Sequence, residues 1–98
     1  MIVPAPSLVY NFGNMYFVYV IQSELTRDLY FGYTNDLDRR VRQHNDGDNA
    51  STKFGIPWQI IYCEGYRSQK DARLREKKLK HYGNARTYVK SRIKNSEL

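Results

Sequence analysis

The sequence predicts an α+β fold: a small three-stranded antiparallel sheet flanked by helices, in the order β-β-α-β-α-α. Two observations predict it. Three short runs are rich in aromatic and β-branched residues, and the segments after the second and third runs space their apolar residues as helices do. A third, the length of 98 residues with 41% hydrophobic content, fits one domain with one modest core.

Residues 16–22, YFVYVIQ, form the first strand-like run and residues 29–33, LYFGY, the second. The polar connector SELTRD between them is short enough to make an antiparallel hairpin the default. Thr34, Asn35 and Asp36 then supply side-chain oxygens that can cap free helical N–H groups. Leu37 and Val41 follow four apart, so the segment DLDRRVRQHN reads as a helix that ends in the turn formers DGDNAS. Pro57 opens a third strand, WQIIYCE, in which Trp58, Ile60 and Tyr62 alternate with Gln59, Ile61 and Cys63. Ser68 with Asp71 three residues on resembles a capping box, and a helix from Gln69 to about His81 follows. Gly83 is expected to stop that helix and Asn84 to cap the next, striped by Ala85, Val89 and Ile93. Residues 1–14 read as a flexible leader, 15–94 as the domain and 95–98 as a C-terminal tail.

The net charge of +6 and a pI near 9.6 suit a polyanionic partner, of which nucleic acid is the commonest. No stretch approaches the ~18 apolar residues of a membrane span, and the opening residues make a poor signal peptide. Cys63 is the only cysteine, which rules out an internal disulfide and a cysteine-built zinc site. A reducing compartment, the cytoplasm, is the expected home.

Four groups of residues could carry chemistry. On the first helix Arg40 and His44 are four apart and share a face, while Arg39 and Arg42 point elsewhere. Arginine grips two phosphate oxygens and histidine moves protons near neutral pH, although a solvated basic helix explains the same pattern. Gly32, just before that helix, would let a phosphate approach the backbone. On the second helix Glu76 lies on the stripe of Ala72 and Leu79 and is the lone acid in RLREKKLK. It could hold a Mg²⁺ ion that also touches phosphate, or simply pair with Lys80 at i+4. Tyr19 and Tyr30 on neighbouring strands can share one face of the hairpin, where they either order a water or phosphate or pack as core aromatics. Finally, residues 67–94 carry a local charge of +9. Lys77, Lys78 and Lys80 of this segment, joined by Lys53 from the loop, form a candidate phosphate-backbone footprint with Arg39 and Arg42.

Taken together, Phe17-Val18-Tyr19, Tyr30-Phe31-Gly32, Arg40 within NDLDRRVRQH, the loop and strand TKFGIPWQIIYCEGY, and Glu76 within ARLREKKLK resemble the GIY-YIG nuclease family over residues 15 to 93. The likeness is to its short single-domain members and to the N-terminal nuclease module of excision-repair proteins. The first triplet departs from the pattern, with Phe17 and Val18 in place of glycine and isoleucine at positions that mainly pack. The resemblance implies a metal-dependent endonuclease acting on DNA. Tyr19, directly or through water, would help deprotonate the nucleophile. Arg40 would stabilise the pentavalent phosphate, and Glu76 would hold one Mg²⁺ or Mn²⁺ ion. His44 and Tyr30 would assist proton transfer or position the phosphate. Repair or recombination is the setting by analogy alone. RNA as substrate, the oligomeric state and a protein partner for targeting stay open, and the alternative reading is a non-catalytic nucleic-acid-binding module of the same fold.

Overall fold

The computed structural model describes residues 14–98. The expected flexible leader falls almost wholly on residues outside that range. Strands β1 (Tyr16–Ser23), β2 (Leu29–Thr34) and β3 (Trp58–Tyr66) form one antiparallel sheet in the order β2-β1-β3. Helix α1 (Leu37–Asn45) separates β2 from β3, and α2 (Gln69–His81) and α3 (Gly83–Arg92) follow. The element order and the α+β class are those the sequence predicts.

The sheet is covered on both faces, and the alternation of β1 decides what goes where. Val18 and Val20 join Phe31 against Ala72 and Leu79 of α2 and Val89 of α3, with Ile93 beyond it. Tyr19 and Ile21, pointing the opposite way, pack with Trp58 against Leu37 and Val41 of α1. A central strand buried on both sides accounts for the nearly unbroken apolar run VYVI.

Three local features differ from the sequence reading. The strict alternation expected for β3 fails, because a register shift opposite Val20 and Ile21 leaves Ile61 without a partner on β1. This bulge puts Trp58 on the α1 face and Tyr62, Glu64 and Tyr66 on the other. Gly83 does not stop α2. Tyr82 is in extended conformation and serves both as C-cap of α2 and N-cap of α3, so Gly83 is the first residue of α3 and Asn84 lies inside it, not at its cap. The close approach that Gly32 allows is taken by protein: a Cβ there would lie 2.3 Å from Cζ and Oη of Tyr19, the residue across the ladder. The missing side chain makes room for that phenol.

The caps behave as expected. Asp36 accepts from the N–H of Arg39 at the start of α1, and Ser68 accepts from that of Asp71 at the start of α2.

A candidate hydrolytic site on the α1 face

Helical spacing points Arg40 and His44 at the sheet, and strand alternation points Tyr19 and Tyr30 at α1. All four meet. His44 and Tyr19 are both 0% exposed, and Tyr19 Oη lies 2.7 Å from His44 Nε2. The Tyr30 ring stands edge-on to the imidazole with centroids 5.0 Å apart. Arg40 Nε donates to Tyr19 Oη at 3.3 Å, and Arg40 Nη1 donates to Gln43 Oε1 at 3.1 Å, which holds the guanidinium in place.

The donors and acceptors on this chain can be ordered. The other imidazole nitrogen, Nδ1, lies 2.7 Å from Oγ1 of Thr52, whose hydroxyl donates to the Asn49 carbonyl at 3.5 Å. In the tautomer protonated at Nδ1, Thr52 accepts from His44 Nδ1–H and leaves its own proton for Asn49. Nε2 is then bare and accepts the Tyr19 proton, while the Tyr19 oxygen accepts from Arg40. The sequence runs in one direction from arginine to phenol to imidazole to threonine.

The protonation states agree with that order. Burial pushes His44 down to about 4, with the Arg40 and Lys80 charges adding to the effect, so the imidazole is neutral at neutral pH. Burial pushes the Tyr19 hydroxyl up to about 12 against the opposing pull of Arg40, and the carboxylate of Glu76 adds to the rise. The charge of Glu76 thus reaches the phenol from α2. Its side chain is 24% exposed and pairs with Lys80 Nζ at 3.4 Å, so the i+4 ion pair weighed on spacing is present. Lys80 Nζ also lies 5.2 Å from the centre of the Tyr30 ring, which binds α2 to the same site.

The remaining basic candidates divide. Arg39 shares a cleft of about 340 Å³ with Arg40, Gln43 and Arg73. Lys53 sits 5.0 Å from the Phe54 ring centre on the loop before β3. Arg42, Lys77 and Lys78 are exposed on their helices. Arg75, one of the cations counted toward the +9 segment, is not free: it makes two hydrogen bonds, of 2.9 and 3.0 Å, to the Glu64 carboxylate.

Sequence reasoning missed Gln43, Thr52 and Asn45. The Asn45 side chain pairs with the backbone of Trp58 in both directions, at 2.7 and 3.0 Å, and so docks the end of α1 on the start of β3. The indole Nε1 of Trp58 donates to the Thr52 carbonyl at 2.7 Å and fixes the loop that reaches His44. No signal in the sequence marks Asn45 or Thr52, which lie at a helix end and in an irregular loop.

Among the described residues no three His, Cys, Asp or Glu side chains cluster in a way that could hold a metal ion, and no helix is long and apolar enough to cross a membrane. Glu76 is the one carboxylate whose charge reaches the Tyr19 phenol. A Mg²⁺ or Mn²⁺ ion suits so sparse a donor set, because such ions keep several waters and take substrate phosphate oxygens beside one or two carboxylates.

Comparison with known proteins bears on the family and the fold. The family described as GIY-YIG catalytic domain matches residues 15–89. A UPF0213 protein of Haloquadratum walsbyi is 37% identical over 71 residues, which is 71% of this chain and 79% of that protein. The UPF0213 protein YazA of Bacillus subtilis is 40% identical over 60 residues, 60% of each chain. The solution structure of a UPF0213 protein from Bacillus halodurans superposes with a TM-score of 0.51 at 26% identity, covering 81% of this chain and 86% of that one.

Proposed function

Since this chain belongs to the GIY-YIG family, whose members are generally endonucleases, we propose that it hydrolyses phosphodiester bonds in DNA with one divalent ion, Mg²⁺ or Mn²⁺. The observation that carries the reading is the chain of contacts from Arg40 through Tyr19 to a neutral, buried His44. It is a proton path with an empty acceptor at its end.

Water attacking phosphorus must lose a proton. Tyr19 is buried in the free protein, so substrate binding must admit the water to Oη. Oη then takes that proton as its own passes to His44 Nε2, and the phenol never has to become a free phenolate against its raised pKa. The resulting imidazolium keeps its Nδ1–H on Thr52. An imidazole held near 4 is a poor acceptor in the free protein, but Arg40 and Lys80 contribute to that depression. Burial is the larger cause and persists, but a phosphate arriving beside Arg40 and Lys80 offsets their charge and removes that part of the depression. The guanidinium donors of Arg40 not used by Tyr19 and Gln43 would take the charge that builds on the pentavalent phosphate. Tyr30 borders the imidazole and positions the phosphate. Glu76 would hold the divalent ion, which supplies Lewis-acid stabilisation to the phosphate and leaving oxygen when bound. Lys80 would then exchange its pairing with Glu76 for a substrate phosphate, and Arg39, Arg42, Lys53, Lys77 and Lys78 would carry flanking phosphates.

The test is cleavage of labelled duplex, single-stranded, flap and branched DNA with Mg²⁺ or Mn²⁺ by the wild type, Glu76→Ala and Arg40→Ala. The expected result is metal-dependent cleavage, lowered roughly 10²-fold or more in each variant. Tight, salt-sensitive binding without cleavage would instead identify a non-catalytic binding module. Equal cleavage by all three proteins would remove Glu76 and Arg40 from the mechanism.

A further inference from the structure

Phe54 is 81% exposed, and the hydrolytic chemistry makes no use of it. Its support is firm. The turn Lys53–Gly55 that carries it follows Thr52, which is buried on His44, and the Gly55 carbonyl accepts from Ser23 Oγ at 2.5 Å. The ring is therefore presented to solvent from a fixed backbone, and ordering it on a ligand costs little.

Phe54, Trp58 and Tyr30 line a groove of about 750 Å³. That volume is within the range of sites that take small ligands. Arg27, Arg86 and Lys90 line it too, opposed by Asp28 and Glu97, and none of these five is in an ion pair among the described residues. Lys53 adds a further cation, over the Phe54 ring itself. Arg27 is also the one non-glycine residue with positive φ among the described residues, at 68°, and its carbonyl is held by Gln22 Nε2 at 3.0 Å. A left-handed arginine costs about 1 kcal/mol that glycine would not. Arg27 thus lines the groove from a turn that carries a cost in backbone strain.

We propose that this groove is a subsite for an unpaired nucleobase of the substrate strand, stacked on Phe54, with Arg27, Arg86 and Lys90 taking the phosphates on either side. The inference rests on the nuclease reading and deepens it. A base inside a duplex already has both faces covered, whereas an unpaired base offers a free π face to a protruding aromatic ring. Because Tyr30 belongs both to this groove and to the His44 cluster, the stacked base lies close in the strand to the phosphate that is cut.

The test uses the full chain carrying Glu76→Ala, without metal, so that binding is read apart from turnover. The probe is a single-stranded oligonucleotide with one fluorescent purine analogue, whose emission is quenched by stacking. Added Phe54→Ala is expected to abolish the quench and weaken binding roughly 5- to 100-fold. Phe54→Trp should preserve both, and Phe54→Leu, which keeps apolar area without a π face, should behave as Phe54→Ala. Affinity for a fully paired duplex should be the same with and without Phe54. An unchanged quench and affinity in Phe54→Ala, or an equal loss on duplex, would overturn the subsite, and cleavage by the otherwise wild-type chain would leave the nuclease reading standing. Failure of the parent protein to bind either DNA would remove both.

Discussion

Thr52 does for His44 what neither residue's chemistry does alone. An isolated neutral imidazole carries its proton on either nitrogen, and only the tautomer protonated at Nδ1 leaves Nε2 free to accept from Tyr19. The Thr52 hydroxyl, 2.7 Å from Nδ1 and within reach of the Asn49 carbonyl, is the acceptor that tautomer requires. Thr52→Val keeps the shape and removes the acceptor, so it should lower kcat by about 10-fold or more with little change in KM, while Thr52→Ser should restore most of the rate. Nitrogen-15 NMR gives the direct check: wild-type His44 should show a protonated Nδ1 and stay neutral well below pH 6, and Thr52→Val should lose the tautomer preference. A single imidazole spectrum shared by both proteins would contradict the role. None of this could be read from the sequence. The i+4 spacing of Arg40 and His44 follows from helix geometry, but the contact from residue 44 to residue 52 depends on the path of an irregular loop, for which spacing carries no signal.

At the scale of elements, α2 must serve two masters: Ala72 and Leu79 bind it to the sheet while Glu76 and Lys80 extend toward the other side's chemistry. Its pose is set by a polar clasp to β3. Burial works against ionising Glu64, but hydrogen bonds from Arg75, Tyr66 and Tyr62 outweigh it and hold the carboxyl below the ordinary carboxylate value. The two tyrosines, half-buried and bonded to that carboxylate, are in turn pushed up to about 12 by partial burial and by that bond. Arg75→Ala would leave a largely buried carboxylate with only its two phenol partners. A loss of roughly 1–3 kcal/mol in urea unfolding is expected, together with weakened activity because Glu76, on the helix turn next to Arg75, loses its position. Unchanged stability would show that the apolar contacts alone place α2. The sequence made the helix and its apolar stripe legible through period and capping. It hid the clasp, because the bulge at Ile61 is what turns Tyr62, Glu64 and Tyr66 toward α2, and strict alternation predicts the opposite face for residues beyond it.

For the whole molecule, burying an imidazole and several phenols shapes stability against pH. His44 binds its proton at about 4 when folded and at about 6.5 when unfolded, so the unfolded chain holds more protons between those values. Stability therefore falls as pH drops through that window, by up to roughly 3 kcal/mol, and Glu64 adds a second loss below the ordinary carboxylate pKa. On the alkaline side Tyr19, Tyr62 and Tyr66 keep their protons to about 12 when folded, so stability declines again once unfolded tyrosine begins to ionise near 10. Calorimetric melting from pH 4 to 11 should trace a plateau with both shoulders, and a Tm constant down to pH 4.5 would deny His44 its buried neutral state.

The central place of β1 has one more consequence. Tyr19, Tyr30, Arg40 and His44 all precede the turn at residues 46–51, whereas Thr52 and Glu76 follow it. What joins the two portions, apart from that turn, is chiefly the β1–β3 ladder of eight residue pairs and the two cores around it. A chain nicked in the turn would therefore consist of two inert pieces, each holding half of a reaction centre, and the return of turnover would report that one edge of β1 had found its mate. The domain is organised as a split reporter that happens to be written in a single polypeptide.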